Sequence, residues 1–403
     1  MLLAPTFLIV FAIVLFPVIA NFWISFKPVK LANLRPPTPI VRERVRETPE
    51  APGDTLLIRY QMRNSSQEIT IEDVLLTDVL PDGLTLTTDE PRCSMTTTNL
   101  RCELGSWEGG YRENLELSFE TSERYFATQA DPRDTDPSIQ GSAPNILTNL
   151  VFTFQNFTEI FRRGDFWPTL RITLYYTIFG TIGSILLGLF AAQLLNVKFP
   201  GQGILRGLFL FPYVAPVIAV AFAWAFLLDP TSGAVSALGM RFGLLEGPIN
   251  FLGQRSIAVD LFGFSFRFPV ALTTVILFEA WRYFPFAFLF ILARFQAIPR
   301  DMYEAAEVDG ASYFQQFWYI TLPQLVGIIS TLFLLRFIWT FNKFDDIFLL
   351  TGGAAGTKTL TVQVYDQAFA LADLGTGAAV AVVLFAILAI FLLIYFRYAP
   401  EGD

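Results

Sequence analysis

The sequence predicts an all-α polytopic membrane protein of six transmembrane helices, with a small β-sandwich inserted after the first. Three observations carry this. Hydrophobic residues make up 53% of the 403 positions and aromatics 15%, more than a soluble chain of this length needs to fill a core. Six stretches, 3–26, 170–195, 204–228, 268–293, 321–341 and 376–397, are apolar over the roughly 20 residues that a helix needs to cross about 30 Å of hydrocarbon. Between the first and the second, the pattern turns to short alternating runs, and the charge turns with it. Residues 31–150 hold 11 Arg and no Lys against 20 Asp and Glu, while the remainder is nearly neutral with 17 basic and 16 acidic residues. The acidity belongs to one soluble insertion.

The first span lies within residues 1–30. It is followed by Asn21, Trp23 and Lys27 rather than a small-residue cleavage site, and its apolar run exceeds that of a signal peptide, so it reads as a retained anchor. Pro36, Pro37, Pro39 and the charged VRERVRE lead into the insertion, residues 31–128. Its runs DTLLIRYQMRN, ITIEDVLLTDVL, LTLTTD and NLELSFETS are bounded by Asn-Ser, Pro-Asp-Gly and Gly-Gly turns, the spacing of a small sandwich. Cys93 and Cys102 flank a hairpin there. In an oxidising compartment a bridge closing that loop adds about 2–3 kcal/mol; otherwise the two are free thiols that pack.

Residues 129–168 read as a linker and an interfacial helix. TQADPRDTDPSIQGSAPNI is polar, Pro- and Asp-rich and aperiodic. NILTNLVFTFQNFTEIFRRGDFWPTL has apolar and aromatic residues at helical spacing, as in a helix lying on a membrane surface or an early start to the second span. Residues 169–403 hold five further spans and a polar stretch at 294–323. Placing Lys198, Arg206, Arg294, Arg300 and Arg397 inside leaves the acidic insertion outside, together with Arg241, Arg255, Arg267 and Lys343.

Composition also excludes. With no histidine, the commonest general base and metal ligand are gone. Two cysteines are too few for a structural zinc site, so no metal and no catalytic residue is expected. No clustered basic surface points to nucleic acid.

The stretch DMYEAAEVDGASYFQQFWYITLP, residues 301–323, sets Asp301, Glu304, Glu307 and Asp309 between two apolar runs. Asp301 and Glu304 have the spacing of an acidic capping box. Ala305 and Ala306 keep one face slim, Gly310 bends or ends the helix, and ASYFQQFWYI resumes it. Leu322-Pro323 then begins the next span, where proline costs little. The picture is two short helices around a bend, presented to a cytosolic partner; an amphipathic connector resting on lipid has the same periodicity.

EAAEVDGASYFQQFWYITLP resembles the EAA loop of importer permeases that work with ATP-binding-cassette ATPases. Glu304, Ala305, Ala306, Gly310, Ile320, Leu322 and Pro323 stand at that family's spacing, and Asp309, Ala311 and Phe317 match its carbohydrate-importer version. The resemblance runs from about 150 to 397, through LFPYVAPVIAVAFAW, FNKFDDIFLLTGG and VYDQAFALADLGTGAAVAV among others. An insertion after the first core span resembles the larger, MalF-like subunit of maltose-type transporters. The insertion's own pattern, GDT…N…DVLPDGLTL…C…C-E-L-G, resembles immunoglobulin-like modules found outside bacterial cells. One departure is TGGAAGTKT, where the family more often has Gly-Gly-Gly-Pro. It is no phosphate-binding loop either, because Thr357 separates Gly356 from Lys358.

The resemblance implies an importer type I permease fold: a multi-pass chain of the bacterial inner membrane, without a catalytic site or a bound cofactor of its own. ATP and Mg would be used by two copies of a cytosolic ATPase docked through Glu304, Ala305, Ala306, Asp309, Gly310, Ile320, Leu322 and Pro323. A second permease subunit, an extracytoplasmic solute-binding protein and membrane lipid are the other partners implied, and nucleic acid is not one. The implied cargo is a sugar, an α-glucoside or oligosaccharide such as maltose or trehalose.

Charged residues inside spans are functional suspects. Arg336, Trp339, Thr340 and Lys343 share one helical face, and Glu279, Arg282, Tyr283 and Phe286 make a stripe on the preceding span. Aligning the W-x-x-x-P and F-x-x-F landmarks with maltose-type permeases brings Arg282, Tyr283, Phe286, Arg336, Trp339, Thr340 and Lys343 to the sugar-contact positions. A second reading pairs Glu279 with Arg336 to stabilise the bundle. The alternative function is an ion-gradient-driven secondary transporter; such folds usually show internal repeats, and none is visible here.

Overall fold

A computed structural model describes residues 4–128, 131, 133, 135–261 and 264–398. Positions 129, 130, 132 and 134 of the expected linker, residues 1–3 of the first expected domain and the tail beyond 398 lie outside the described residues. The chain forms two compact units, one of Lys27–Thr153 and one of the segment up to Phe26 with the segment from Phe154 onward.

The first of these units is built from β1 (Pro39–Glu47), β2 (Thr55–Asn64), β3 (Ile71–Val79), β4 (Leu84–Leu86), β5 (Cys93–Thr96), β6 (Asn99–Trp107), β7 (Arg112–Thr121) and β8 (Ser138–Ser142). They form two four-stranded antiparallel sheets, ordered β1-β2-β7-β4 and β5-β6-β3-β8. Period-two alternation decides which residues go inside: Leu56, Ile58, Tyr60 and Met62 of β2 are buried, and their neighbours are not. They share one core with Leu76, Leu100, Trp107, Leu117 and Phe119. Cys93 stands opposite Cys102 in the β5–β6 ladder, and a disulfide joins them. Near its ends the unit is tied by buried Lys27, whose ammonium donates to the carbonyl of Asn149 and, at 3.0 Å, to its Oδ1.

VRERVRE and SIQGS read from the sequence as a charged lead-in and as linker. Both are strands. Each lies at a sheet edge, where charged and polar side chains are normal and the apolar signal is correspondingly weak.

The second unit contains α1 (Ala4–Ser25), α2 (Gln155–Arg162), α3 (Phe166–Leu194), α4 (Gln202–Val214), α5 (Val217–Leu227) and α6 (Ala234–Arg241). A hairpin, β9 (Ile257–Leu261) with β10 (Phe264–Phe268), precedes α7 (Val270–Ala297). Then follow α8 (Arg300–Val308), α9 (Tyr313–Phe341), α10 (Asp345–Thr351), α11 (Leu360–Tyr365) and α12 (Leu374–Tyr398). Helices α1, α3, α7, α9 and α12 are each long and apolar enough to cross a membrane. The stretch expected as one span at 204–228 is instead α4 and α5, bent by 93°. Pro216 is the reason: a residue before proline is pushed out of the α region, and Ala215 is extended at ψ 143°.

Helices α3 and α7 pack most closely of all. Gly180, Ser184 and Gly188 recur every four residues along the buried face of α3. A Cβ on Gly188 would stand 2.7 Å from the Cβ of Ala287 and 2.8 Å from the backbone nitrogen of Phe288. At Gly180 it would stand 2.9 Å from Cγ of Glu279, so the small residues bring α3 directly against the acidic residue of α7.

Candidate functional site

Two places in the helical unit concentrate polar groups. The first is buried. Glu279 on α7 is fully enclosed and is partnered on three sides. Arg336 of α9 bonds its Oε1, Thr340 Oγ1 donates to the same oxygen at 2.9 Å, and Tyr176 of α3 donates to Oε2 at 2.9 Å. Arg336 also donates to Thr340 Oγ1 at 3.1 Å, as the i,i+4 spacing on one face requires. Glu279 and Arg336 are thus paired in this structure.

One turn on, a second charged group surrounds Asp346 at the start of α10, which has no exposure at all. Arg282 Nε lies 3.8 Å from its Oδ1 and Lys343 Nζ lies 3.6 Å from its Oδ2. Burial raises the Asp346 carboxyl well above the usual aspartate range, and the Glu279 carboxylate nearby adds to this against the Lys343 ammonium. Tyr283 bridges the two groups. Its hydroxyl bonds Lys343 and accepts from Arg282 Nε at 3.3 Å, and its ring lies 4.3 Å from the Arg336 guanidinium carbon. Arg282 Nη2 donates to the carbonyl of Ala215 at 3.3 Å, an oxygen released by the α4–α5 break. Among the described residues, Arg282 Nη1, Arg336 Nε and both Asp346 oxygens have no hydrogen-bond partner, so the cluster keeps donor and acceptor capacity.

Of the seven residues expected to meet cargo, Arg282, Tyr283, Arg336, Thr340 and Lys343 are brought together here. Phe286 and Trp339 are not part of the charged network. They stack edge to face at 5.2 Å, with Phe290 and Tyr213 beside Phe286 at 4.9 and 6.2 Å. Trp339, 46% exposed, leaves this aromatic face open. Sequence reasoning missed Asp346 and Tyr176. Asp346 carries a local signal, three residues after Lys343 in a charged stretch, although Lys343 lies past the end of α9 and not on its helical face as expected; Tyr176 carries none, because only the α3–α7 approach brings it to Glu279.

The second place is the polar loop. Helix α8 is exposed along Glu304, Ala305, Glu307 and Val308, while Ala306 is half-buried. The expected capping box at Asp301 and Glu304 is absent. The N-cap is Pro299, which puts Asp301 inside the first turn, where its charge meets the helix dipole instead of capping it. The box sits one helix later: Ser312 N–H donates to Gln315 Oε1 at 2.7 Å, and Gln315 N–H donates to Ser312 Oγ at 3.4 Å. Between the two, Asp309 is the C-cap and Gly310 adopts φ +77°, with Ala311 N–H donating to Ala306 O at 2.9 Å and Gly310 N–H to Glu307 O at 3.0 Å. This is the Schellman closure, which needs a left-handed residue at that point.

The loop is also fastened to the helix that follows it, and the two flanking helices are tied to each other. Tyr303 Oη meets Thr321 Oγ1 at 2.8 Å, and Arg294 of α7 donates to the Gln324 carbonyl and side chain of α9 at 3.1 and 3.0 Å. Ile320 falls in a π-helical turn, Phe317–Thr321, and Leu322 N–H bonds back to Phe317 O. Pro323 has no N–H to continue an α ladder, and the wider turn absorbs that loss.

The family model described as "Binding-protein-dependent transport system inner membrane component" matches residues 184–400. The chain is 37% identical over 261 residues to the inner membrane ABC transporter permease protein YcjO of Escherichia coli, covering 64% of this chain and 84% of that one. It is 33% identical over 254 residues to the sulfoquinovosyl glycerol transport system permease protein SmoG of Agrobacterium fabrum, covering 62% and 77%. To the trehalose/maltose transport system permease protein MalF of Thermococcus litoralis it is 30% identical over 245 residues, covering 60% and 78%. In fold it is similar to a chain of a bacterial ABC transporter involved in the import of the acidic polysaccharide alginate, with a TM-score of 0.52, 23% identity, and 63% and 86% coverage.

Proposed function

This chain belongs to the family of binding-protein-dependent transport system inner membrane components, and from that premise we propose that it is the permease chain of an ATP-driven sugar importer. The observation that carries the coupling half of this reading is the loop. Glu304, Ala305, Asp309 and Gly310 form a capped, exposed surface fastened to α9 through Tyr303 and Thr321, and α9 is itself tied to α7 through Arg294 and Gln324. A partner that pushes on such a surface moves α7 and α9 together rather than bending a hinge.

In this reading a cytosolic ATPase of the ATP-binding-cassette type docks there, in two copies per transporter, and supplies the ATP and Mg chemistry. Ala305 and Ala306 admit its close approach, Glu304 and Asp309 set its charge partners, and Gly310 with Ile320, Leu322 and Pro323 fixes the angle between loop and span. A second permease chain completes the path, and an extracytoplasmic binding protein delivers cargo. The bent pair α4–α5 counts as the sixth span. Residues 27–153 are the extracytoplasmic insertion of immunoglobulin-like type.

The sugar class is supported by the names of the trehalose/maltose and sulfoquinovosyl glycerol relatives. It is also supported by chemistry: Phe286 and Trp339 offer aromatic faces to the apolar side of a sugar ring, beside the donors and acceptors of the Arg282, Tyr283, Thr340 and Lys343 group. Arg336 acts mainly by holding Glu279.

The test is affinity purification of the chain from its native membrane in mild detergent, beside a Glu304→Lys plus Gly310→Pro version. A P-loop ATPase that accompanies the native chain and is lost from the variant supports the reading. No ATPase with the native chain, under conditions that preserve complexes, overturns it.

A further inference from the structure

A groove of about 630 Å³ runs down the outer faces of α3 and α7, apart from the charge cluster and the polar loop. Arg171 and Arg255 stand at it with Gly356, and its walls continue through Tyr175, Phe179, Leu272 and Ile276. The order along α3 matters. Arg171, Tyr175 and Phe179 follow one another every four residues, so a single helical face passes from cation to phenol to hydrocarbon. All three are exposed. Neither arginine has an ion-pair or hydrogen-bond partner among the described residues.

An exposed arginine in the second turn of a membrane-crossing helix carries its guanidinium to the interface, where lipid phosphates are the counter-charge at hand. The loop TGGAAGTKT contributes here in a way its phosphate-loop likeness did not suggest. A Cβ on Gly356 would come within 3.1 to 3.4 Å of the Arg255 side chain, so the glycine lets the arginine stem lie flat on the loop backbone.

We propose that this groove binds an anionic phospholipid. Its phosphate sits between Arg171 and Arg255, the tyrosine lies at headgroup depth, and an acyl chain runs along Phe179, Leu272 and Ile276. The charge pattern selects this occupant. A zwitterionic lipid offers the two guanidinium groups no net charge, and a protein surface would need carboxylates at the head of an otherwise apolar wedge. The inference rests on the helices lying in the membrane and not on which cargo is carried.

The test is native mass spectrometry of the assembled transporter, purified and reconstituted with equal phosphatidylglycerol and phosphatidylcholine. Expected is retention of phosphatidylglycerol over phosphatidylcholine, reduced roughly 30-fold in Arg171→Gln/Arg255→Gln, since each basic residue contributes comparably to anionic-lipid attraction. Phe179→Ala should weaken retention of both lipids while keeping the preference. Equal retention of the two lipids, or a preference unchanged in the double variant, overturns the proposal. So does a Tyr175→Cys variant whose thiol cross-links to a second permease chain, which would make the groove a protein interface. Unchanged co-purification of the ATPase with the double variant separates this outcome from failure of the importer reading.

Discussion

Replacing Glu279 by Gln should destabilise the helical unit far more than its near-isosteric shape suggests. The carboxylate accepts from Arg336, Thr340 and Tyr176 in a place without solvent access, and Arg336 is itself only 1% exposed. The amide keeps one acceptor for Arg336 and Thr340 but replaces the oxygen that faces Tyr176 by a donor and removes the negative charge. Removing one member of a buried ion pair leaves the other charge uncompensated, a cost of about 3–5 kcal/mol. Arg336→Met should cost a similar amount, because the lost guanidinium strands the Glu279 charge. The double variant Glu279→Gln/Arg336→Met buries no orphan charge, and should recover about 2–3 kcal/mol relative to the sum of the singles. Equilibrium unfolding of the purified complex in mixed micelles, followed by tryptophan fluorescence, measures the cycle, and transport assayed on the same preparations adds the functional arm. A double variant that folds and transports assigns the pair to the bundle; one that folds without transporting assigns Arg336 to the cargo. Strict additivity of the two single costs would refute the reasoning, since it would mean that the two charges do not feel one another.

The close approach of α3 and α7 makes Gly188→Leu costly by roughly 1–3 kcal/mol or more, because its Cβ already meets Ala287 and the Phe288 backbone. Gly207→Ala, with nothing within 4 Å of its Cβ, should be neutral or slightly stabilising in a paired thermal-stability assay. Reducing the Cys93–Cys102 bridge, or Cys93→Ser, should lower the stability of the β unit by about 2–3 kcal/mol, read from Trp107 emission with the other tryptophans replaced. Glu43 of β1 should make that unit pH-dependent. Burial pushes its carboxyl up to about 7, opposed by a 2.7 Å hydrogen bond from Thr135 and helped by Asp78. The folded state therefore holds a proton that the unfolded chain has released, and this contribution is full below the ordinary glutamate range and lost as pH rises to about 7. Glu43→Gln should flatten that slope in denaturant midpoints measured from pH 4 to 8.

The membrane helices and the division of labour along the chain were legible in one dimension, because both are set by local composition. Apolar runs of sufficient length become helices wherever lipid leaves the backbone no other partner. Short alternating runs bounded by turns become strands for the same local reason. In the loop the helix end was legible and the helix start was not: Gly310 closes a helix because its conformation lets Ala311 and Gly310 bond back, a constraint contained within six residues, whereas the capping box stands at Ser312 and Gln315 and not at Asp301 and Glu304. The edge strands Pro39–Glu47 and Ser138–Ser142 were not legible, since an edge is defined by the neighbours a strand lacks. Nor was the break at Ala215–Pro216 read from an apolar run that looks continuous. The site itself divides in the same way. Helical spacing was enough to put Arg336 and Thr340 on one face, whereas Lys343 falls past the end of α9, and the partners these residues meet depended on what packed against them. Gly180 and Gly188 decided that by letting α3 come near enough to carry Tyr176 to Glu279, more than a hundred residues away in sequence. Spacing along the chain determines which side chains share a face, and only the packing of those faces determines the partners they meet.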